Sequence, residues 1–456
     1  MTSDISNEER RPTMPRYLIA CVPIHGHITP LLGIAAELVR RGDHVRILTG
    51  ARFAEAVTRT GSEFLSLPAE ADFDDRLMAP EAGTDHPTGI AALRGDVARI
   101  FLVPARAQYE ALLAQTSDPD QRPDVVLVDP TFVGAMFLGG HPRDTRPPVI
   151  VAGMLPLMLS SSAAPPFGLG MRPWRGPLNR VRNTLLRAVV EKVVFAPVQA
   201  QLDALHRAVH HRDSPAFVVN WISTAEAIIQ LSVPGFEYPR PDLPLPLRFA
   251  GPIIASSDSA VPPWWDELDT DRPAVLVTQG TIANRDFDEL VRPTLDALAE
   301  EDVLVIVTTG GRPIDHLGTL PANARAAEFL PYDRLFPRLD VLVTNGGYGG
   351  VHYALAHGVP IVIAGDTEDK PEVAARVAWS GTGINLRTGS PAPAAVRRAV
   401  RKILAAPRYR DAAAALAVQI RAARGVDELI DTVAAEIAAT GTRSAPPSAG
   451  DVDVEV

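Results

Sequence analysis

The sequence is short of cysteine and of long apolar runs. Cys21 is the one cysteine in 456 residues, so no disulfide can form within the chain, as is typical of a reducing compartment. No run of about eighteen uncharged apolar residues occurs, and the first eleven residues are polar and acidic, unlike a signal peptide. These absences favour a soluble, cytoplasmic protein without a transmembrane segment.

A basic surface is also lacking. The chain carries 44 Lys and Arg against 54 Asp and Glu, a net charge of −10, and the cations are scattered among acids. Binding to a phosphate backbone needs a basic face, so a nucleic-acid partner is disfavoured. Hydrophobic residues make up 46% of a length that exceeds what one core usually holds, so two domains are expected.

A βαβ pattern opens the chain. The largely apolar segment 16–22 predicts a buried strand, and 23–28 a loop. The periodicity that follows predicts a helix capped by Thr29, with Pro30 at its first position. Further buried parallel strands are predicted over 45–49, 125–128 and 149–153. The first half is therefore predicted to be a doubly wound sheet.

The composition becomes rich in proline, serine and acids between about 234 and 273, as is typical of a linker. A second alternation of strands and helices follows it. Strands are predicted over 274–278, 303–308, 341–344 and 360–364, and helices over 286–300, 348–357 and 394–439. The predicted organisation is a disordered start (1–14), two Rossmann-like domains (15–235 and 274–425) joined by a linker (236–273), a C-terminal helix (426–440) and a disordered tail (441–456).

A glycine-rich turn connects a predicted strand to a helix in the second half. Backbone N–H groups and the positive helix end converge there, and glycine admits a diphosphate close to the backbone. The residues concerned are Asn345, Gly346, Gly347, Gly349 and Gly350. Thr281, after the strand 274–278, adds a hydroxyl at the same edge of the sheet. Tight packing of helix on strand also selects glycine and remains the alternative explanation.

The next predicted strand ends in an acidic loop. Glu368 and Asp369 are poor neighbours for a diphosphate but good acceptors for sugar hydroxyls, and Lys370 adds a donor. We therefore predict that this loop binds the hexose of a sugar nucleotide. A solvated turn is the alternative.

His25 and His27 flank a glycine in the predicted loop after the first strand. A histidine is the natural acceptor for the proton of an alcohol or phenol at neutral pH, and a carboxylate on its other nitrogen fixes the tautomer. Asp129 ends a parallel strand of the same predicted sheet and can supply that carboxylate. The alternative is that these histidines are satisfied core residues.

Three segments resemble the UDP-glycosyltransferase superfamily of the GT-B fold, and within it the bacterial macrolide-type glycosyltransferases that decorate antibiotics. They are PIHGHITPLLGIAAELVRRGDHV (23–45), VLVTQGT (275–281) and the stretch 328–377 that contains TNGGYGG. The resemblance implies two Rossmann-like domains facing across a cleft, with C-terminal helices packing back toward the first. It also implies inverting, metal-independent transfer of a sugar from a UDP- or dTDP-linked donor to a lipophilic polyketide, macrolide or phenolic acceptor, without any cofactor.

The resemblance also implies roles for individual residues. His27 matches the family's catalytic base, with His25 as an added neighbour, and Asp129 matches the residue that orients it. Phe329 matches the aromatic that stacks on the nucleobase, and the glycines of the turn match the diphosphate site. Asp369 and Lys370 match the pair that grips the sugar. The family commonly has histidine at Asn345 and glutamine at Lys370, so these two positions depart from its pattern.

The least regular stretches of the first domain, 69–99 and 155–174, are expected to line the acceptor pocket. Phe167, Met171 and Trp174 make the second stretch apolar, which suits a hydrophobic acceptor, and His25 is expected to bind the acceptor with them. Ordinary loop packing is the alternative for the three loop residues. No metal site is predicted. A sugar-nucleotide epimerase or hydrolase of the same architecture, and a non-catalytic sugar-nucleotide-binding helper, remain alternative functions. The sequence does not indicate an oligomeric state.

Overall fold

The structure is a computed structural model, which describes residues 14–77, 94–95, 97–243, 245–254, 259–281 and 284–443, the side chains of 440–443 excepted. Two parallel β-sheets form its framework. Apart from Met14, the predicted disordered start lies outside the described residues, as does the predicted tail from 444 onward. Residues 441–443 of that tail continue the last helix.

The first sheet contains seven strands within the described residues, in the order β3-β2-β1-β4-β5-β6-β7. These are β1 (Arg16–Ala20), β2 (His44–Thr49), β3 (Glu63–Ser66), β4 (Val125–Val128), β5 (Val149–Gly153), β6 (Ala227–Gln230) and β7 (Leu247–Phe249). Every neighbouring pair is parallel. The predicted doubly wound first half is confirmed.

The second sheet contains six strands within the described residues, again all parallel, in the order β10-β9-β8-β11-β12-β13. These are β8 (Ala274–Thr278), β9 (Leu304–Thr308), β10 (Ala324–Ala327), β11 (Val341–Thr344), β12 (Ile361–Ile363) and β13 (Gly383–Asn385). In both sheets alternate residues of a strand face different cores: Leu276 packs in one cluster and Val277 in another. Burial on both faces explains the unbroken apolar runs of these strands.

Helices cover the sheets. They are α1 (His25–Arg40), α2 (Ala54–Arg59), α3 (Ala105–Thr116), α4 (Gly134–Gly139), α5 (Leu178–Val189), α6 (Ala196–His210), α7 (Val291–Leu298), α8 (Tyr332–Leu335), α9 (Tyr348–Ala356), α10 (Lys370–Ser380), α11 (Pro393–Leu404), α12 (Arg408–Ala422) and α13 (Val426–Arg443). Leu429 and Val433 of α13 lie in a core of the first sheet, so the C-terminal helix packs back onto the first domain as expected. No helix within the described residues has both the length and the apolar character needed to cross a bilayer.

The start of α1 corrects a prediction. The helix begins at His25, so Thr29 is no N-cap and Pro30 lies inside the helix. The backbone N–H of His25 donates to Asp75 Oδ2 at 2.7 Å, and Thr29 Oγ1 donates to the carbonyl of His25 at 2.7 Å. A carboxylate fifty residues away thus satisfies the first helical N–H, a partner that no local pattern reveals.

Two other elements differ from their predicted extents. Strand β7 falls inside the stretch predicted as a linker, 236–273, yet pairs in parallel with β6 at the edge of the first sheet. Helix α7 begins at Val291 instead of 286, because the side chain of Gln279 holds the preceding turn: its Nε2 donates to the carbonyl of Asp286 and its Oε1 accepts from the N–H of Val291. Both differences arise from pairing between distant residues.

Candidate active site

His27 and Asp129 form a hydrogen-bonded pair at the carboxyl edge of the first sheet. His27 lies in the first turn of α1, directly after β1, and Asp129 directly follows β4, the neighbouring strand. His27 Nδ1 lies 2.7 Å from Asp129 Oδ2. The His27 side chain is 12% exposed and that of Asp129 is fully buried. Nδ1 is therefore engaged with the carboxylate, and Nε2 is the nitrogen that can accept a proton from a substrate.

The buried carboxylate of Asp129 has partners on both oxygens. Oδ1 accepts from the backbone N–H and from the hydroxyl of Thr131, each at 2.6 Å. Oδ2 accepts from His27 and, more weakly, from the Cys21 thiol at 3.4 Å. These bonds hold the carboxylate in one orientation, and this orientation in turn directs the imidazole.

The charges of the pair support each other. Burial lowers the pKa of His27, but the charge and hydrogen bond of Asp129 and then the carboxylates of Asp369 and Glu368 raise it above its ordinary value. Burial raises the pKa of Asp129, but the His27 imidazolium and the bonds from Thr131 bring it below its ordinary value. An anionic aspartate thus stabilises the imidazolium that proton abstraction creates.

The glycine-rich turn between β11 and α9 is open on its outer side. Gly346 has a φ of +101°, and a β-carbon there would lie 2.7 Å from Ile363 Cδ1, so only glycine fits the turn. In contrast, β-carbons at Gly347, Gly349 and Gly350 would meet no atom within 4 Å. The N-terminus of α9 therefore presents unobstructed backbone, as binding of a diphosphate requires.

Asn345 directly follows β11, in the turn where the sequence places it. It is 9% exposed, and its Nδ2 donates to the carbonyl of Gln279 at 2.7 Å. The amide thereby ties the turn after β11 to the turn after β8. Thr281, at the end of that second turn, is exposed, while Gly280 donates its N–H to Thr278 Oγ1. Asn345 thus positions the two turns relative to each other.

Phe329 follows β10 and is 54% exposed. Its ring lies against the backbone of Gly311, where a β-carbon would approach the ring to 2.8 Å. Gly311 follows β9, the neighbouring strand, and has a φ of +90°. A planar, half-covered aromatic at the carboxyl edge of the second sheet is suited to stacking on a nucleobase.

The loop before α10 carries the predicted sugar-binding residues. Lys370 is 5% exposed, and its Nζ donates to Thr367 Oγ1 at 3.1 Å and to Glu368. Asp369 Oδ2 is buried and has no hydrogen-bond partner among the described residues. Burial raises the pKa of Asp369 to about 6, with a further increase from Glu368 and opposing effects of Lys370 and His27. This carboxylate is available to accept from a ligand hydroxyl.

The two halves of the site face one another. Asp369 and Glu368, from the second domain, act electrostatically on His27 of the first domain, and Asp369 responds to His27 in return. A charged group shifts the pKa of another group appreciably only when the two groups lie close together in the protein. The imidazole and the acidic loop therefore belong to one cleft between the domains.

The loop 155–174 also reaches this cleft. The N–H groups of Gly168 and Gly170 donate to Glu372 Oε1 of α10 at 2.9 and 2.8 Å. Phe167, half-buried, packs against the core of the first domain, and Met171 is likewise half-buried. Trp174 is 56% exposed, and its backbone N–H donates to Asn179 Oδ1 at 2.8 Å. Of the predicted stretch 69–99, residues 78–93 and 96 lie outside the described residues.

Glu372 belongs to a buried ion network that the sequence analysis missed. Arg376, 1% exposed, donates to Glu372 Oε2 at 2.8 Å and to Glu237 Oε2 at 3.0 Å. Glu237 in turn accepts from the N–H of Leu157 at 3.0 Å. The i,i+4 spacing of Glu372 and Arg376 was the one visible signal, whereas Glu237 lies 139 residues away. The network thus connects the loop 155–174, which was predicted to line the acceptor pocket, to α10, the helix that follows the predicted sugar-binding residues.

A second polar contact fixes α9 against the first sheet. Ser232 Oγ lies 2.9 Å from His352 Nε2, and Gln230 Nε2 donates to the hydroxyl of Tyr348 at 3.1 Å. Burial is the main cause that lowers the pKa of His352 to about 4, so this imidazole is neutral at physiological pH. The open N-terminus of α9 is thereby held at a defined place relative to β6 and its sheet.

Comparisons with known proteins agree with this architecture. The model of the family "erythromycin biosynthesis protein CIII-like, C-terminal domain" matches residues 292–435. The chain is 41% identical over 423 residues to 4'-demethylrebeccamycin synthase of Lentzea aerocolonigenes, covering 92% of this chain and 98% of that protein. It is 36% identical over 438 residues to UDP-glycosyltransferase 2 of Phaeomoniella chlamydospora, covering 92% of this chain and 95% of that protein.

A solved structure shares the fold. The calicheamicin glycosyltransferase CalG4 superposes with a TM-score of 0.69, at 23% identity, over 95% of this chain and all of that one. Both sequence matches extend over nearly the whole of this chain and of the relative, so they include the residues on both sides of the cleft. The chain therefore belongs to the UDP-glycosyltransferase family, and it is a glycosyltransferase with two Rossmann-like domains in the GT-B arrangement.

Proposed function

We propose that the protein transfers a sugar from a UDP- or dTDP-linked donor to a hydroxyl of a lipophilic natural product, with inversion at the anomeric carbon. The observation that carries the proposal is the buried His27–Asp129 pair facing the Glu368–Lys370 loop across the cleft. A base on one side and a sugar-binding loop on the other are what a direct displacement needs.

In the proposed reaction, His27 Nε2 takes the proton of the acceptor hydroxyl. The acceptor oxygen forms a bond to the anomeric carbon while the bond from that carbon to the diphosphate oxygen breaks, which inverts the configuration. Asp129 stabilises the imidazolium, and the nucleoside diphosphate leaves with the electron pair of the broken bond. The proton on His27 is afterwards released to solvent.

The departing diphosphate would lie at the N-terminus of α9. The open positions at Gly347, Gly349 and Gly350 admit phosphate oxygens to the backbone, and the helix dipole favours negative charge there. These groups would stabilise the charge that develops on the leaving group, so the proposed reaction uses neither a metal nor another cofactor.

The sugar would lie over the loop before α10. The unpartnered Oδ2 of Asp369 would accept from a sugar hydroxyl, and Lys370 would donate after releasing Glu368. Phe329 would stack on the base of the nucleotide. The proposed natural-product acceptor is supported by the relatives: one is named for synthesis of 4'-demethylrebeccamycin, and similar folds are those of calicheamicin and spinosyn glycosyltransferases.

The proposal is tested by incubating the protein with UDP- and dTDP-sugars, with and without a panel of phenols, macrolides and polyketides, and weighing the products. We expect a hexose mass to be added to at least one acceptor, and no addition by the His27→Ala variant. Donor consumption without any acceptor would indicate an epimerase or hydrolase. Donor binding by calorimetry without turnover would indicate a non-catalytic helper. Either result would overturn the proposal.

A further inference from the structure

Helix α5 packs with its polar side toward the protein. Asn179 and Asn183 are 8% and 1% exposed. Asn179 Nδ2 donates to the carbonyl of Ala163 at 2.7 Å, and Asn183 Nδ2 donates to the carbonyl of Ser162 at 3.1 Å. A surface helix of a globular protein normally buries its apolar side instead. The attachment of α5 to the loop beneath it is thus largely polar.

The outward side of this helix is apolar. The exposed residues recur at intervals of three or four, which places them on one face of α5 and of the π-helical turn Val190–Val194 that continues it. They are Leu178 (69% exposed), Val181 (57%), Leu185 (63%), Val189 (51%) and Val193 (69%). Within the part of the chain that the structure describes, this apolar stripe faces solvent. Packing in the protein core therefore does not explain why these residues are apolar.

The surroundings of the apolar stripe are cationic. Residues 172–193 contain six Arg and Lys and a single acid, Glu191, in a chain whose net charge is −10. Arg172, Arg175, Arg180 and Lys192 are exposed. Trp174 precedes the helix and is 56% exposed, with the Arg182 guanidinium 4.3 Å from its ring centre. Basic residues, an exposed tryptophan and an apolar face are the combination found in helices that lie in a membrane interface.

We propose that α5, together with Trp174, binds peripherally to the surface of a lipid bilayer that carries anionic headgroups. The helix would lie parallel to the surface, with the apolar stripe among the upper acyl carbons and the cations against the headgroups. A second copy of the chain fits less well, because two equally cationic faces repel each other. A nucleic acid would satisfy the cations but leave the apolar stripe in water.

The position of α5 relates this surface to the cleft. The loop to which Asn179 and Asn183 bind is the one whose Gly168 and Gly170 contact Glu372. If the function proposed above is correct, the acceptor side of the cleft would then open near a layer in which lipophilic molecules concentrate. The binding itself does not depend on that function.

Flotation of the purified protein with vesicles tests the inference independently of any activity. We expect binding to vesicles of phosphatidylglycerol and phosphatidylcholine, little binding to phosphatidylcholine alone, and release at high salt. The triple variant Leu178→Ser, Val181→Ser, Leu185→Ser should weaken binding roughly a hundredfold, since three apolar side chains would no longer enter the bilayer. Val418→Ser, in which an equally exposed valine of α12 is changed, should bind like the parent protein.

The double variant Arg175→Glu, Arg180→Glu reverses two charges and leaves the apolar residues unchanged, so it provides a second test. It should abolish the preference for anionic vesicles. Equal thermal midpoints of variants and parent would show that folding is intact. Three outcomes would overturn the inference: no binding of the parent protein to anionic vesicles, unchanged binding by both variants, or a dimer in light scattering that the serine variant dissociates. The last would make this face an interface between two copies.

Discussion

Replacing Asp129 by asparagine changes one atom at the centre of the proposed mechanism. The side chain keeps its shape, but one carboxylate oxygen becomes an NH₂ group. Thr131 donates two hydrogen bonds to Oδ1, so the amide oxygen of the variant must occupy that position. The NH₂ group then points at His27 Nδ1, which in the parent protein lies 2.7 Å from Oδ2.

This rearrangement reverses the tautomer of the imidazole. An NH₂ group can only donate, so Nδ1 must become an acceptor and the ring proton must move to Nε2. A protonated Nε2 cannot take the proton of an acceptor hydroxyl. General-base catalysis contributes about 10²- to 10⁴-fold, so we expect kcat to fall by that factor, equivalent to about 3–5 kcal/mol in the activation free energy.

The pH profile gives an independent readout of the same change. In the parent protein the pKa of His27 is above its ordinary value, 6.5, because Asp129 and the acidic loop outweigh burial. Since the base acts unprotonated, kcat/KM should rise with pH through that raised pKa. In Asp129→Asn the largest raising effect is lost while burial remains, so the residual activity should reach its plateau at lower pH.

The assay is initial-rate turnover with mass detection over a pH series, together with donor affinity by calorimetry. Donor affinity should change little, because Asp129 belongs to the first domain and its side chain accepts hydrogen bonds from His27, Thr131 and Cys21 of that same domain. Asp213→Asn, an exposed aspartate of the same domain, is the matched control and should match the parent rate. A kcat for Asp129→Asn within about threefold of the parent value would refute the assigned base and its tautomer.

Three further predictions concern the other parts of the cleft. His27→Ala should abolish transfer and leave the donor dissociation constant nearly unchanged in calorimetry; retained turnover would contradict the assigned base. Gly347→Val should weaken donor binding by tenfold or more, because the new side chain would enter the open space at the start of α9. The φ of −55° at this position accepts valine without strain, so the fold should be unaffected. Unchanged affinity would argue against the diphosphate site. Glu372→Gln removes the buried carboxylate that pairs with Arg376, and it should lower the free energy of unfolding by about 3 kcal/mol in a urea titration. The control Glu55→Gln changes an exposed ion pair and should alter the free energy of unfolding by less than about 1 kcal/mol.

The strands are the elements that could be predicted most closely from the sequence. The bounds of β4, β5, β8 and β11 agree with the apolar runs that indicated them. Each of these strands is buried on both faces, so nearly every residue is apolar, except for Thr278 and Thr344 at two of the strand ends. The signal is therefore contained in four or five consecutive positions. The order of the strands could not be predicted in the same way, because right-handed crossovers limit the possible topologies without selecting one of them.

The catalytic pair could be anticipated for a related reason. His27 follows β1 and Asp129 follows β4, and parallel strands bring their carboxyl ends to the same edge of the sheet. The sequence therefore indicated that the two side chains could meet. The acidic loop could be assigned to sugar binding from its hydrogen-bonding groups, whereas the role of Phe329 came only from the resemblance to the family.

What the sequence by itself determined were features written in consecutive residues: buried strands, helical periodicity, and the glycine-rich turn. Only the tertiary structure decided which distant groups meet. It made Asp75 the partner of the first N–H of α1, turned Asn345 toward Gln279, joined Arg376 to Glu237, and directed the apolar side of α5 outward. Each of these features depends on contacts between segments that are remote in the chain. Such contacts are decided by the free energy of the whole packed molecule. The periodicity of a strand or helix, in contrast, depends only on which faces of that segment are buried, so it can be recognised in consecutive residues.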